Sequence, residues 1–555
     1  MRNRFNRWLL GVTSFVALAA LAPSAAQAAC MDANNNGSVT GTDCLQIARE
    51  ALGLSTNPDP ICPPGPPTSC ADANSNGGVD LSDSLLCFRQ VNGLANTIIP
   101  CATPPTPVAC GAVRSGNINN SEIWQECPGG TSITLNGPTF VQAGVTVTVQ
   151  PGAKVEANPG VTATLVFLRG SRIIANGNPT KPIIFTSNSP PKSTGDWGGI
   201  VLNGFAQANC GGDCFSEGFD PMVTPVSFGG SDDNDTSGIM KYVRVEFSGI
   251  TLSFDNELNT LTMNGVGRST QMDHIQTHRG DDDCFEWFGG AVDAKFLVAS
   301  GCLDDLLDTQ LGYRGRIQYA LAIQELTGLD TGDRHAFEWD NNETVQGATP
   351  FNEPKMCNVT AVGTKNQGGS AGGKEGARLR RGTAGVISNT IISDFERSGL
   401  RVRDNTTTCK NIYTDHPSPC TTLKTTGPFL VVRDTLLFDD GPGATGTTFV
   451  ESECAAPCNV QAAWTASRNL QVGADPGYAT ANPTFPTSAS DANKYVPTVG
   501  SNADTLVTTS CNATLADGFF DASADYAGAF APNNTPANSN WLITPGPWIN
   551  FNLTN

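Results

Sequence analysis

Acidic side chains recur in phase between Met272 and Asn342. When HIQTHRGDDDCFEWFGG (274–290) is laid over FLVASGCLDDLLDTQLG (296–312), Asp282, Asp283 and Glu286 fall on Asp304, Asp305 and Asp308, an offset of 22 residues. A third line, GDRHAFEWDNN (332–342), continues at an offset of 30, so Phe285, Leu307 and Phe337 make an apolar column beside an outward column of Glu286, Asp308 and Glu338. The same register is expected to reach ISDFERSGLRVRD (392–404), with Val402 in the apolar position and Arg403 in the outward one, so that a base closes the ladder. Carboxylates in register on strands about 4.8 Å apart repel one another unless a cation or a base lies between them. The pattern therefore points to calcium at Asp281, Asp282, Asp283, Asp304 and Asp305, with Glu286, Asp308 and Glu338 as further ligands and His335 in the column of Asp283 and Asp305.

A second calcium chemistry is written near the N-terminus. DANNNGSVTGTD (32–43) and DANSNGGVDLSD (72–83) each place oxygen side chains at loop positions 1, 3, 5 and 12 around a glycine at 6, and each is followed by an apolar-periodic helix, 44–54 and 84–94. The expected ligands are Asp32, Asn34, Asn36 and Asp43 in one loop and Asp72, Asn74, Asn76 and Asp83 in the other. Over residues 30–100 this stretch resembles the dockerin type I module. The resemblance implies an EF-hand-like α-helical unit and a cohesin-like or other cell-surface partner. Two features depart from that pattern: the copies are 40 residues apart, stretched by PDPICPPGPP (58–67), and neutral Asn stands at positions 3 and 5, which lowers the charge offered to calcium.

The elements that must position the acidic ladder are short strands. SITLNGPTFVQAGVTVTVQPGAKVEANPG (132–160) alternates apolar and polar residues between Gly-containing turns, and the following coil (163–188) repeats it without any helical period. Self-similarity at a period in the low twenties is the signature of a solenoid whose coils pair with their neighbours. The wording VTVQPGAKVEA, LRGSRIIANG, PIIFTS, GDWGGIVL, KYVRVEFSGI and DDCFEWFGG resembles bacterial exported proteins with a right-handed parallel β-helix of the pectate-lyase-like kind, over roughly 130–555. That resemblance implies acids on one sheet holding calcium against a uronate, with an Arg or Lys as base. Asp283, Asp305, Arg279, Arg314, Arg316 and His335 are the candidates for such a role. The alternative is a structural ion site, or a solvated turn with arginine cross-pairs. Arg378, Arg380, Arg381, Arg397, Arg401 and Arg403 either bind an anionic glycan or offset the acids next door, and Trp197, Trp287 and Trp339 either stack on sugars or pack turns.

The fold class expected is thus all-β, a right-handed parallel β-helix with the small N-terminal module. Residues 1–28 read as a signal peptide, with Arg2, Arg4 and Arg7 before an apolar run, and they are too short and alanine-rich for a good membrane span. A Pro-rich linker and lead-in follow the module over 101–130, the β-helix occupies 131–472, and a loop-rich cap over 473–555 is expected to close the last coil. Insertions at 208–222, 364–376 and 405–420 leave the helix at turns. Loss of the signal takes the formal charge from −19 to −22, which disfavours nucleic acid and anionic membranes and favours cations. All 18 cysteines lie beyond the signal, as suits an exported chain, and the close pairs Cys210 with Cys214, Cys409 with Cys420 and Cys454 with Cys458 read as loop staples. No HExxH, GxSxG or P-loop occurs. Two roles follow: a secreted surface or matrix protein binding an extended glycan or partner, or a calcium-dependent lyase or hydrolase of an acidic polysaccharide.

Overall fold

The computed structural model describes residues 107–555 apart from 213, 223, 254–255, 327–333, 368–373, 443–445, 482, 507–508, 533–539, 544–545, 547 and 553–555. The signal segment and both calcium loops at 32–43 and 72–83 lie outside the described residues.

Alternating sequence becomes alternating burial. In Ile133–Val141 the odd residues from Ile133 to Val141 face inward and the even ones face out, and Thr146–Val149 repeats the pattern. Such strands cannot pair locally, because turns of a few residues carry the chain around a corner rather than back on itself. They pair instead with the coil above and below, always in parallel along the solenoid. Three sheets result, visited in the order I, II, III in each coil. Sheet I runs through Thr146–Val149, Arg172–Asn176 and the first halves of Gly238–Glu246, Gln271–His278, Ala294–Ser300, Arg316–Ile323 and Lys355–Val362, ending at Leu430–Arg433. Sheet II takes Lys154–Ala157, Ile183–Ser187, the second halves of the same long strands, and then Ile391–Ser393, Thr435–Phe438 and Leu470–Val472. Sheet III holds Thr164–Phe167, Ile200–Asn203, Leu261–Asn264, Phe285–Phe288, Leu307–Gln310, Phe337–Asp340, Glu375–Arg380, Ser398–Val402 and Val450–Ser452. The first parallel pair already starts at Val113–Ile118, inside the stretch taken as linker and lead-in.

From Gly238–Glu246 to Lys355–Val362 sheets I and II meet within single strands, on the next two coils they meet between adjacent short strands, and one residue per coil makes the bend. Tyr242, His274, Phe296, Tyr319, Asn358, Asn389 and Asp434 stack in register there, all with φ between 46° and 62°. A left-handed backbone costs a non-glycine residue about 1–2 kcal/mol. Ring stacking offsets it on the first four coils, at 4.3 Å for Tyr242 on His274, 4.4 Å for His274 on Phe296 and 4.9 Å for Phe296 on Tyr319. On the next three coils Asn and Asp tolerate the conformation themselves.

Inward side chains of the three sheets form one continuous core, in which Trp197, Trp287 and Trp339 are fully buried. Those tryptophans are packing residues and offer no platform to a sugar. The tail beyond 473 does not simply close the last coil, as expected, but runs back along sheet II. Its Trp548, Ile549 and Phe551 pack on Val298, Leu321, Ile323 and Val362, because the outward side of sheet II is itself apolar on those coils. Cys210–Cys214 and Cys284–Cys302 are disulfides, but Cys409 pairs with Cys454 and Cys420 with Cys458, which corrects the two staples expected between close neighbours. These bridges join successive turns of the helix at one corner, where residues far apart in the chain lie side by side.

Candidate cation-binding face

At the start of sheet III each coil leaves one backbone N–H outside the strand ladder, and a polar side chain from the preceding coil accepts it. Asn259 Oδ1 accepts from the Asp283 amide at 3.3 Å, Asp283 Oδ1 from the Asp305 amide at 2.8 Å, and Asp305 Oδ1 from the His335 amide at 2.6 Å. The stacking of Asp283 on Asp305 thus has a local cause. Asp305 Oδ1 also lies 2.7 Å from His335 Nδ1, and His335 Nε2 lies 2.6 Å from Glu375 Oε2, which continues the column by one more coil.

The outward column beside it runs Glu286, Asp308, Glu338, Arg378, Arg401, Glu451. Its first three members stand where the sequence placed them, as do Phe285, Leu307 and Phe337. The closing base is not Arg403. Arg378 takes that position and Arg401 the next, with Leu400 rather than Val402 in the apolar column, since the coil at Glu375–Arg380 intervenes and the alignment slips by two residues. A slip of two keeps every side chain on its own face.

Two loops bring acids that carry no periodic signal. Glu217 comes from the insertion at 208–222 and Glu257 from the short hairpin of Thr251–Ser253 and Asn256–Glu257. Burial first, then the charge of Glu257, pushes Glu217 up to about 7. Asp282, Asp283, Glu286, Asp304 and Asp308 are all held well above the usual carboxylate range, by burial first and then by the charge of neighbouring acids, Glu217 foremost for Asp282 and Glu286 and Glu338 for Asp308. Glu286 accepts from Asn259 and, at 2.8 Å, from Gln310, whereas Asp308 Oδ1 is buried with no hydrogen-bond partner. Ligand atoms of Asp282, Asp283 and Asp304 lie within 4.8 Å of one another, as do those of Asp283, Glu286 and Asp308, and of Asp305, His335 and Glu338. Asp283 belongs to two of these groups. Asp281 stands apart from them, accepting from Thr251 at 3.4 Å. The two groups that share Asp283 are all-oxygen and anionic, a donor set that suits a hard cation such as calcium, whereas the third includes the His335 imidazole.

Toward Glu375 the electrostatics reverse. Burial would raise the Glu375 carboxyl, but His335, Arg378 and Arg401 outweigh it and hold the group at about 2. Glu338, between the two regimes, is pushed up to about 7 by burial, Asp305 and Asp340 against the pull of His335 and Arg380. Arg380 and Arg381 pair with Asp340, Arg397 and Arg401 with Glu375 and Glu451, and Arg403 with Glu453. The basic group therefore offsets its acidic neighbours.

The candidate bases are engaged too. Arg279 pairs with Glu325, Arg314 with Asp233 at 2.7 Å, and Arg316 with Asp293 and Asp517. Asp233 lies in the Gly-bounded acidic stretch GGSDDNDTSG (229–238), in which Asp232 accepts the Asn234 amide in an Asx-turn. His335 is buried between Asp305 and Glu375. Sequence reasoning missed Glu217, Glu257 and Glu375; only the last carried a signal, the 40-residue step from His335 that matches the step from Phe337 to Ala377.

Among the described residues no helix is long and apolar enough to cross a membrane. No curated protein and no solved structure matches the chain. A family model described as "Pectate-lyase like beta helix domain" matches residues 117–464, more than half of the chain. With three parallel sheets observed over the same span, the chain belongs to the pectate-lyase-like β-helix family.

Proposed function

We propose that this is an exported β-helix protein that holds calcium in the acidic cluster of sheet III and uses it to bind an acidic polysaccharide. Membership of the pectate-lyase-like family supports a polysaccharide-related role, and six disulfides among the described residues fit an extracellular protein. The observation that carries the calcium reading is a contrast along one face. Arg378, Arg380, Arg381, Arg397, Arg401 and Arg403 each meet a carboxylate, yet among the described residues no lysine or arginine forms an ion pair with Asp282, Asp283, Glu286, Asp304 or Asp308. Buried carboxylates in such number are otherwise too costly to hold ionised. A divalent ion there neutralises them and leaves coordination positions for a uronate carboxylate. The calcium loops at 32–43 and 72–83 belong to the same proposal, as a module that attaches the protein to a cohesin-like or cell-surface partner.

Binding is favoured over cleavage because a lyase needs a base free to take a proton from the bound sugar, whereas Arg279, Arg314 and Arg316 are held in ion pairs and His335 is buried between Asp305 and Glu375. The test is retention on immobilised polygalacturonate with calcium and with chelator, with absorbance of unsaturated ends followed in solution. Calcium-dependent retention without ultraviolet-absorbing product is the expected result. Equal retention in chelator removes the calcium bridge, and release of unsaturated product replaces binding by lyase activity.

A further inference from the structure

At the corner between sheets II and III, three successive coils each contribute one ionisable side chain to a single small cluster. Lys365 follows Lys355–Val362, Asp394 follows Ile391–Ser393, and Asp439 follows Thr435–Phe438. Lys365 Nζ donates to Asp439 Oδ1 at 2.7 Å and to the Asp439 carbonyl at 2.9 Å, so the lysine of the first coil reaches the third. The backbone amide of Lys365 donates to the Asp394 carbonyl at 3.0 Å, and the side chain of Asn366 donates to the Asp394 carboxyl. Asp394 thus belongs to the coil between the two partners and is held against both.

The surroundings of this ion pair are those of a reaction site rather than of a solvated bridge. Lys365 and Asp439 are only 12% and 15% exposed. The Gly446 amide donates at 2.7 Å to the same Asp439 Oδ1 that faces the lysine, and a Cβ on Gly446 would lie 2.6 Å from Nζ, so only bare backbone fits over the pair. Asp394 is buried, and burial, then the charge of Asp439 against a hydrogen bond from Ser393, push its carboxyl up to about 7. It is therefore able both to take and to return a proton at neutral pH. A cavity of about 60 Å³, lined by Asp394, Phe438 and Tyr478, adjoins it and has room for a water.

We propose that Lys365 and Asp439 condense to an amide, a covalent staple that joins the first of these coils to the third. Two of the three ammonium protons pass, by way of the Asp394 carboxyl, to Asp439 Oδ2. The Nζ–Cγ bond forms while the Gly446 amide holds the charge that develops on Oδ1, the Cγ–Oδ2 bond breaks, and one water leaves. Asp394 ends as it began. The product is neutral, which removes the cost of keeping two charges largely out of water. No cation or further reactant is needed, and the proposal is independent of the reading of the acidic face.

The experiment is mass spectrometry of the full chain after reduction, alkylation and digestion with trypsin. The staple blocks cleavage after Lys365 and joins peptide 356–374 to peptide 434–468, at their summed mass less one water. Lys365→Arg keeps the charge pair but cannot condense, and should release the two segments separately. Asp394→Asn, nearly isosteric, should slow condensation by about a hundredfold or more, the usual worth of a positioned general acid and base, and so leave most chains unlinked at a fixed time after synthesis. Melting curves verify the fold of both variants. Separate peptides 356–365, 366–374 and 434–468 in the parent overturn the staple, and linkage as complete in Asp394→Asn as in the parent overturns the part given to Asp394.

Discussion

Asp283→Asn separates a turn acceptor from a cation ligand, because asparagine keeps the Oδ1 that accepts the Asp305 amide and removes only the charge. The Asp283 carboxylate shares two three-residue groups whose ligand atoms lie within 4.8 Å of one another. At an effective dielectric constant near 20, a pair of like charges at that separation repels by about 3 kcal/mol. Without calcium, removing the charge should therefore stabilise the fold by about 3 kcal/mol. For a folded body of roughly 450 residues, with an unfolding entropy of about 2 cal/mol/K per residue, that is about 3 °C in melting temperature. With calcium at about a hundred times the dissociation constant, the parent should gain about 2.7 kcal/mol, again about 3 °C. If the variant binds calcium about a hundredfold more weakly, its own gain falls to about 0.4 kcal/mol. Parent and variant should thus melt apart in EGTA, the variant higher, and nearly together in calcium. Differential scanning fluorimetry in the two buffers reads this directly, and any response of the loops at 32–43 and 72–83 cancels because both proteins share them. If Asp283→Asn is destabilised in EGTA, or keeps the parent's calcium increment, the acids serve only as turn acceptors and the calcium reading of this face falls.

Two further outcomes follow from the charged columns. Arg378→Met leaves Glu375 and Glu338 short of a buried partner, which should cost about 3–5 kcal/mol and a similar number of degrees; adding Glu375→Gln should recover part of the loss, and a single variant melting within about a degree of the parent would show that the pair contributes nothing. His278 is fully buried, and burial together with the charge of Arg279 pushes its imidazole down to about 3. Because the native state binds fewer protons than the unfolded state between that value and the usual 6.5, the stability it contributes is present above pH 6.5 and is lost as pH falls, by up to about 1.4 kcal/mol per pH unit. Urea midpoints at pH 4.5 and 6.5 should differ less in His278→Gln than in the parent, and an unchanged difference would exclude this residue as a source of acid sensitivity.

The stacking of Glu286, Asp308 and Glu338 could be read from sequence because the 22-residue step from Phe285 to Leu307 equals that from Ile275 to Leu297, and because the eight extra residues of the next step, one between Gln310 and Ile317 and seven between Ile323 and Phe337, fall between strands and leave the strand phase intact. The next step failed at Arg403 for a related reason. The coil carrying Arg378 follows the Gly- and Lys-rich insertion 364–376, which has no alternation of its own, so a whole strand was passed over. Glu217 and Glu257 stand on irregular loops, and position along such loops says nothing about which side chains will meet. Disulfide partners were equally hidden: Cys357 and Cys511 are 154 residues apart yet bonded, since the tail also packs on the outward side of sheet I. The tail's path was itself encoded in the apolar outward residues Val298, Leu321 and Ile323, which read like any core strand until the inward face is known.

The left-handed column from Tyr242 to Asp434 also decides where this chain can lengthen. A bend made by one residue in one backbone conformation has no slack, so a single added residue at that edge would throw the second half of its strand out of phase with both neighbours. From Tyr242 to Asp434 every long excursion departs from one of the other two edges, as at 364–374 after Lys355–Val362 and at 405–420 after Ser398–Val402. Sequence drift and loop grafting are thereby channelled to the two edges that border sheet III, so new recognition loops arise beside the acidic face while the opposite edge stays fixed in length.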